Sequence, residues 1–365
     1  MRRSRLVRIL RGLGVALVAL AALAATPVVY VEARCGPPGA PAAEYSPFTV
    51  AEADYRRAEG DSYLTYPEWY IVHAYADLAG VTRQSSESSF DYLSSAAGFW
   101  KSFCRATIAA GKVGPVTAEQ KTTNYIIGLS FTGEMAVIGA YERTIGALTA
   151  WLRGPRRTAE DEFALSVADD YAAFLQQTPW YRYPFFPTLA RFWRETPFGG
   201  GNVVRSAERR LALTLEYGGK GLYAIPIGAL AGVSPADLTI RSVVSRLDDD
   251  DLAADPRIKK LRDLDDRSTL IETPRYQEFT DIARRLGARG RYFFEIAGNQ
   301  RILTTILAPE NATIMTPNAE KLFVISLQSR PGWRRIGLDT KVRELANQIG
   351  FVEKQGAEFE HAYDY

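Results

Sequence analysis

One uncharged stretch near the N-terminus limits what this chain can fold into more than any other feature of its sequence. Residues 13–31 (LGVALVALAALAATPVVYV) carry no charge, and as a helix they would extend about 28 Å, close to the hydrocarbon thickness of a bilayer. Five arginines precede them within residues 1–12, and the positive-inside bias keeps such a basic segment in the cytoplasm. The sequence therefore predicts a single-pass transmembrane helix of the signal-anchor type, with the body of the chain on the extracytoplasmic side.

A cleaved signal peptide is the alternative interpretation of the same stretch. Residues 22–24 (Ala-Leu-Ala) fit the small-x-small pattern of a cleavage site, and Pro27 could end the apolar region. Cleavage would release the body as a secreted protein, whereas an uncleaved helix would hold it at the membrane. Both interpretations place the body outside the cytoplasm.

The charge and composition of the body exclude several classes of function. The whole chain has a net charge of +2, but beyond residue 34 it contains 38 basic and 41 acidic residues. Such a body has no electrostatic footprint for nucleic acid. Neither a GxGxxG motif nor a phosphate loop ending in GK[ST] occurs, and two histidines and two cysteines are too few for the usual metal centres. We therefore expect no nucleic acid, no cofactor and no metal.

The two cysteines, Cys35 and Cys104, leave two possibilities open. In an exported protein they could pair, and closing a loop of about 70 residues would stabilise the fold by about 4 kcal/mol in the chain-entropy model. The alternative, which we expect, is two free thiols, with Cys104 buried beside Phe103 and Cys35 in a loose linker.

Composition divides the body into four parts and predicts the α+β class. Residues 32–48 are rich in proline and predict a linker, and residues 49–235 predict a mostly α-helical domain. The charge-dense residues 236–270, with four consecutive aspartates, predict a solvated connector, and residues 271–365 predict a small α+β domain.

Apolar periodicity and turn residues predict the individual elements of these domains. In the helical domain, a helix entry is expected at Pro67, and further helices are expected at 88–110, 122–152, 158–177 and 205–230. In the small domain we expect helices at 274–287 and 338–349, and strands at 291–297, 301–307, 322–327 and 351–358. A three-residue turn, Gly298-Asn299-Gln300, predicts a hairpin between the first two strands.

Two segments of the helical domain resemble each other. Residues 129–148 and 211–230 align without gaps with nine identities in twenty positions, including Glu134 with Glu216 and Tyr141 with Tyr223. The alignment predicts a duplicated helical unit, two copies of which would pack about a pseudo-twofold axis. Pro226 in the second copy predicts a kink or a helix end there.

The repeated residues include the best candidates for chemistry. Glu134 and Glu216, if they faced one another, would raise one another's pKa and could act as an acid/base pair, with Tyr141 or Tyr223 as a polarising donor. This is the basis of an alternative function, a metal-independent hydrolase or transferase. The structural interpretation is that each glutamate pairs with an arginine or bonds a tyrosine hydroxyl within its own unit.

His73 is a further catalytic candidate. It lies near Glu68 and Asp77, and an aspartate at i+4 could orient its imidazole. The structural interpretation, which we favour, is a hydrogen-bonded histidine on a helix. The aromatic residues 180–193 (WYRYPFFPTLARFW) could fill the core, rest at a membrane interface or stack on a glycan.

The sequence thus favours a membrane-anchored envelope protein that acts by binding or scaffolding. The membrane is its one expected partner, through residues 13–31, and a protein or glycan partner stays open.

Overall fold

A computed structural model describes residues 22, 25–36, 55–197, 202–230 and 238–365. The predicted α+β class is confirmed, with helices in the first part of the chain and two small antiparallel sheets in the last. Most of the predicted transmembrane segment 13–31 lies outside the described residues, as do residues 1–12 and most of the predicted linker. Within the described ranges, no helix has both the length and the apolarity needed to cross a membrane.

Eight helices are described before the sheets begin. They are α1 (residues 25–34), α2 (Asp61–Gln84), α3 (Tyr92–Val113), α4 (Ala118–Tyr141), α5 (Ala147–Arg153), α6 (Ala159–Leu175), α7 (Phe185–Glu195) and α8 (Val203–Leu230). The four helices predicted after α2 are confirmed, with shifted ends, as α3, α4 with α5, α6, and α8. Capping boxes explain two of the starts, at Thr117 with Gln120 and at Thr158 with Asp161.

The entry of α2 differs from the prediction. The helix begins at Asp61, so that Pro67 lies inside it rather than in its first turn. The first turns are held by the second sheet, because the Ser62 hydroxyl donates to Tyr363 O at 2.6 Å and the Tyr63 hydroxyl donates to Asp339 at 2.6 Å. These buried hydrogen bonds extend the helix before the proline.

The structure does not show the predicted duplicated unit. Residues 129–148 span the end of α4, a π-helical segment at Glu142–Gly146 and the start of α5, whereas residues 211–230 form one uninterrupted part of α8. Pro226 does not end α8, which continues to Leu230.

Two four-stranded antiparallel sheets follow the helices. The first has the strand order β2-β3-β1-β4 and the second the order β6-β7-β5-β8. The strands are β1 (Thr239–Ser245), β2 (Lys259–Asp263), β3 (Ser268–Pro274), β4 (Phe293–Ile296), β5 (Arg301–Pro309), β6 (Ala319–Ser326), β7 (Trp333–Lys341) and β8 (Glu358–Tyr363). Three helices lie among them, α9 (Asp249–Ala254), α10 (Gln277–Ala288) and α11 (Leu345–Glu353).

The prediction of a connector at 236–270 is wrong in its secondary structure. This stretch contains β1, α9, β2 and the beginning of β3, and all three strands belong to the first sheet. The aspartate run begins α9, where Asp248 and Asp251 form a capping box, and Asp251 also pairs with Arg289 at 2.6 Å and Arg291 at 2.6 Å. The charges are therefore satisfied locally, and the apolar residues of β1 enter the core.

The predicted hairpin is also wrong, because its two strands belong to different sheets. β4 pairs with β1, whereas β5 pairs with β7 and β8, so the turn at residues 298–300 carries the chain from one sheet to the other. Residues before α2 hold this crossover. Asn299 donates to Arg57 O at 3.0 Å, and Glu59 accepts from the backbone N–H groups of Gln300 and Arg301 at 2.9 and 2.7 Å.

The last predicted elements are shifted along the chain. Residues 338–341 extend β7 instead of beginning a helix, since β7 is paired on both edges, and the helix there is α11. The strand expected at 351–358 begins only at Glu358, because α11 continues to Glu353.

The expectation of free cysteines is wrong, because Cys35 and Cys104 form a disulfide. Cys35 does not lie in a loose linker. Residues 32–34 belong to α1, and Glu32 of that helix pairs with Lys121 of α4 at 2.6 Å and accepts from the Tyr125 hydroxyl at 2.6 Å. Helix α1 is thus fixed to α3 by a covalent bond and to α4 by polar contacts.

Candidate functional site

A mostly apolar cavity lies where α2, α4, α6 and α8 approach the turn at Trp180–Arg182. We call it the central pocket, and its volume is about 300 Å³. Its wall is mostly apolar and includes the aromatic side chains of Trp69, Tyr75, Phe131, Tyr171, Trp180, Tyr223 and Tyr276. Its charged lining residues are Glu68, Glu134 and Lys220.

Lys220 brings the two predicted carboxylates together at one wall of this pocket. Its Nζ lies 3.0 Å from Oε1 of Glu134 and 2.9 Å from Oε1 of Glu216. Glu216 and Lys220 are one helical turn apart on α8, and Glu134 reaches them from α4. The ammonium also lies 5.2 and 5.4 Å from the ring centroids of Tyr75 and Tyr171.

The electrostatics of this cluster favour charged groups. Burial alone would lower the pKa of Lys220, but the attraction of Glu134, Tyr75 and Glu216 outweighs it and raises that pKa well above its usual value. Burial alone would raise the pKa of Glu216, but the charge and hydrogen bond of Lys220 outweigh it and hold that pKa below its usual value. At neutral pH, Lys220 is therefore an ammonium and Glu216 a carboxylate.

A second, smaller cavity of about 80 Å³ lies on the other side of this cluster. The two cavities share Tyr75, Tyr171 and Lys220 as lining residues. Glu216 and Glu142 line only the smaller cavity, whereas Glu134 lines only the central pocket. Lys220 therefore stands between two cavities, with one carboxylate toward each.

The two candidate tyrosines have different positions. Tyr223 is half exposed, lines the central pocket and stacks on Trp180 with a centroid distance of 5.4 Å. Tyr141 does not line the central pocket, and its buried hydroxyl has no hydrogen-bond partner among the described residues. Only Tyr223 is placed to touch a ligand in this pocket.

His73 lies in the core between α2 and the second sheet. Its Nε2 is 2.9 Å from the Tyr363 hydroxyl, and its Nδ1 is 3.7 Å from Glu360. Burial and the charge of Arg335 lower the pKa of His73 to about 3, so the imidazole is neutral at physiological pH. Asp77 does not orient it, because that carboxylate accepts from the backbone N–H groups of residues 328 and 329.

The sequence analysis missed the orientation of α8. The side chains of all its charged residues are buried or half-buried, namely those of Arg205, Glu208, Arg209, Arg210, Glu216 and Lys220. Its exposed residues with described side chains are all uncharged, and Leu211, Leu215, Leu222 and Ile225 are each more than 60% exposed. Arg205, Arg209, Glu216 and Lys220 are spaced by four, seven and four residues and so share one helix face, a signal that the sequence offered.

The inward charges of α8 form a paired network with its neighbours. Arg205 contacts Asp161 at 2.9 Å, and Arg210 contacts Glu160 at 3.0 Å. Arg209 contacts both Glu142 at 2.9 Å and Glu87 at 2.6 Å. The π-helical segment turns Glu142 inward, and Gly146 makes room for it, because a Cβ there would lie 2.2 Å from the carboxylate.

Helices α4 and α5 expose apolar residues as well. Both neighbour α8, since Glu134 contacts Lys220 and Thr149 of α5 hydrogen-bonds Glu208 at 3.0 Å. We call the exposed apolar side chains of these three helices the outer apolar face. It comprises Ile126, Val137, Leu148, Trp151, Leu152, Val203, Val204, Leu211, Leu215, Leu222, Tyr223 and Ile225.

Comparison of the chain with protein-family models, with curated proteins and with solved structures finds no match. No group of three or more histidine, cysteine, aspartate or glutamate residues in the described ranges is arranged to hold a metal ion. Two features of the molecule therefore bear on its function, the central pocket and the outer apolar face.

Proposed function

We propose that the protein is a membrane-anchored envelope protein whose exported body acts by binding, with its outer apolar face against the bilayer. This proposal depends on helix α8, whose charged side chains point inward. A surface helix in water turns its charges outward, whereas α8 turns its charged side chains inward, together with Leu213 and Tyr217, and exposes only uncharged ones. The medium outside α8 is therefore inferred to be apolar.

The outer apolar face exposes twelve apolar side chains on three neighbouring helices, which supports a partner over bare solvent. Monomeric soluble proteins seldom expose contiguous apolar patches larger than a few hundred Å². Burying apolar surface stabilises by about 25 cal/mol per Å², so large side chains such as Leu215 and Leu222 each gain about 1 to 3 kcal/mol when they leave water. An interfacial helix gains in this way when its apolar face enters the acyl boundary of a bilayer.

A bilayer is favoured over a protein partner by the path of the chain. Residues 13–31 are predicted to be a membrane helix, and the described residues 25–31 of that stretch belong to α1, whose Val31 is buried in the core. Helix α1 is fixed to α4 through Glu32 and to α3 through Cys35. A membrane helix that ends there brings the bilayer beside α4, one of the helices of the outer apolar face. Trp151 and Tyr223 on this face suit the membrane–water interface.

The cluster around Lys220 supports binding rather than acid–base catalysis. A hydrolase or transferase built on Glu134 and Glu216 would need one carboxyl group held in its protonated form. The ammonium of Lys220 contacts both groups, and its charge and hydrogen bond hold the pKa of Glu216 below its usual value against the effect of burial. The alternative enzyme function therefore gains no support from the geometry of the pair.

Depth-dependent fluorescence quenching tests the position of the outer apolar face. The two native cysteines are paired with each other, so a single introduced cysteine can be labelled with an environment-sensitive dye. The full chain would carry Val137→Cys or Leu215→Cys and be reconstituted in liposomes containing lipids with spin-labelled acyl chains. We expect blue-shifted emission and strong quenching at both positions.

The matched control is Lys321→Cys, an exposed position on β6. Quenching at positions 137 and 215 no stronger than at position 321 would refute the bilayer contact. Shielding from water without quenching by lipid would identify a protein as the occupant of the face.

A further inference from the structure

We propose that the central pocket binds an organic cation with apolar substituents, that is, a protonated or quaternary amine. This inference rests on the binding role proposed above and specifies the ligand. Three observations carry it, the aromatic wall, the balance of charge and an unfilled acceptor.

The wall of the pocket offers several aromatic faces to a ligand. Aromatic faces attract cations, and a cluster of such rings is the usual recognition site for quaternary ammonium groups. Lys220 already occupies this kind of position near Tyr75 and Tyr171. Trp69, Trp180 and Tyr223 line the same pocket, where Trp180 and Tyr223 stack on each other.

The charges at the pocket oppose an anion. Lys220 is the only cation among the described lining residues, and its ammonium is shared by Glu134 and Glu216. The net formal charge of these three groups is −1, and Glu68 adds another carboxyl group to the lining. An anionic ligand would meet this negative cluster, whereas a cation would complete its neutralisation.

Glu134 retains capacity to accept a hydrogen bond from a ligand. Its Oε1 is buried, and its contact with Lys220 is an ion pair outside hydrogen-bond geometry. No other donor among the described residues bonds to this atom. Beside its ion pair with Lys220, this carboxylate has lone pairs left that can accept an ammonium N–H or contact a polarised N–CH₃ group of a ligand.

The volume and position of the pocket limit the size and route of the ligand. About 300 Å³ is at the lower end for small-molecule sites and suits a single ring or a short chain with a cationic head. Two lining residues, Ile126 and Tyr223, also belong to the outer apolar face. A ligand with apolar substituents can therefore enter beside the bilayer.

Three probes of similar size and different charge test this inference. The full chain in non-ionic detergent would be titrated with benzyltrimethylammonium, phenylacetate and benzyl alcohol, with binding followed by calorimetry and by the fluorescence of Trp69 and Trp180. We expect the cation to bind at least about tenfold more tightly than the anion or the alcohol, as one charge-assisted contact provides.

Matched variants locate the site. Glu134→Gln should weaken binding of the cation about tenfold, because it removes the carboxylate that faces the ligand. Glu119→Gln makes the same charge change at an exposed position of α4 and should leave binding unchanged. Tyr223→Leu keeps an apolar side chain at a half-exposed position. It should weaken binding of the cation severalfold and leave binding of the alcohol unchanged.

Three outcomes would overturn the inference. Equal binding of benzyl alcohol and benzyltrimethylammonium would mean that the pocket recognises apolar surface alone. Preferential binding of phenylacetate would mean that Lys220 dominates the charge. Failure of the cation to bind at millimolar concentration would mean that the site is absent. These titrations need no bilayer, so they can fail while the quenching experiment succeeds, and the reverse is also possible.

Discussion

Helices α8 and α10 place the same types of residue on opposite faces. In α10 the apolar Phe279, Ile282 and Leu286 are buried in the core of the sheets, and Arg285 projects outward with more than half of its side chain exposed. In α8 the arginines are buried and Leu211, Leu215 and Leu222 are exposed, although Leu213 is buried. Helix α10 thus has the pattern of a helix between a core and water, and α8 has that of a helix between a charged interior and an apolar medium.

The difference shows that burial of charge is the costly step in the helical part of the molecule. Arg205, Arg209 and Arg210 leave water, and each is paired with at least one buried carboxylate. A buried ion pair stabilises a protein little more than an apolar pair of the same shape. Loss of one partner, however, leaves an uncompensated buried charge. Helix α8 is therefore fixed in orientation by its charges, and α10 by its apolar residues.

Removal of one buried arginine should have the largest effect on stability. Arg209→Met leaves Glu142 and Glu87 without their shared cation, and we expect the free energy of unfolding to fall by about 3 to 5 kcal/mol. Arg285→Met on α10 removes an exposed partner of Asp255 and should cost about 1 kcal/mol or less. Denaturant unfolding of the full chain in detergent measures both, and equal losses would contradict the contrast between the helices.

Loss of the disulfide should lower the free energy of unfolding by nearly as much. It closes a loop with a sequence separation of 69 residues and fixes α1 to α3, and its removal should cost about 4 kcal/mol in the chain-entropy model. Thermal unfolding with and without a reductant measures the loss. The double variant Cys35→Ser with Cys104→Ser is the control and should be insensitive to reductant. A wild-type protein equally insensitive to reductant would show that the bond adds no stability.

The buried imidazole of His73 predicts a loss of stability in acid. Its pKa is about 3 in the folded protein and about 6.5 when exposed, so the unfolded chain binds the proton more readily between these values. The stability due to neutral His73 is complete above pH 6.5 and decreases as the pH falls toward 3. At pH 4 the loss is about 3 kcal/mol.

The variant His73→Gln isolates this effect. It retains a group that can bond the Tyr363 hydroxyl but does not titrate, so its unfolding free energy should fall less between pH 7 and pH 4 than that of the wild type. The pH dependence of the unfolding free energy must be compared between the two proteins, because the titration of Glu142 changes stability in the opposite direction. Burial and Glu87 raise the pKa of Glu142 to about 8, so its contribution is lost as the pH rises from 4.5 toward 8. Parallel slopes would exclude His73 as the source.

Local patterns predicted the helices better than the sheets. Helices α3, α6 and α10 follow from apolar periodicity because each buries one face. The turn at residues 298–300 was recognised, but its strands pair with distant partners that no local pattern encodes. Residues 338–341 have helical spacing, yet pairing on both edges of β7 makes them strand.

The candidate site was predicted only in part for a similar reason. The alignment of the two segments singled out Glu134 and Glu216, and both contact one ammonium. Lys220 was overlooked although it lies four residues after Glu216, a spacing that favours an ion pair on a helix. Its contact with Glu134 joins two helices and depends on the tertiary fold, so a single sequence does not reveal it.

The smallest predicted effect bears directly on the medium outside α8. In liposomes, Leu215→Lys places a charge at the acyl boundary and should lower the unfolding free energy by about 1 to 2 kcal/mol, between the cost at the interface and that at the bilayer centre. The same change at Ala288, an exposed position of α10, should stay within about 0.5 kcal/mol of the wild type. If Leu215→Lys is as well tolerated as Ala288→Lys in liposomes, water covers both helices, and the inward charges of α8 reflect internal pairing alone. If it is costly only in liposomes, lipid is the medium that α8 faces.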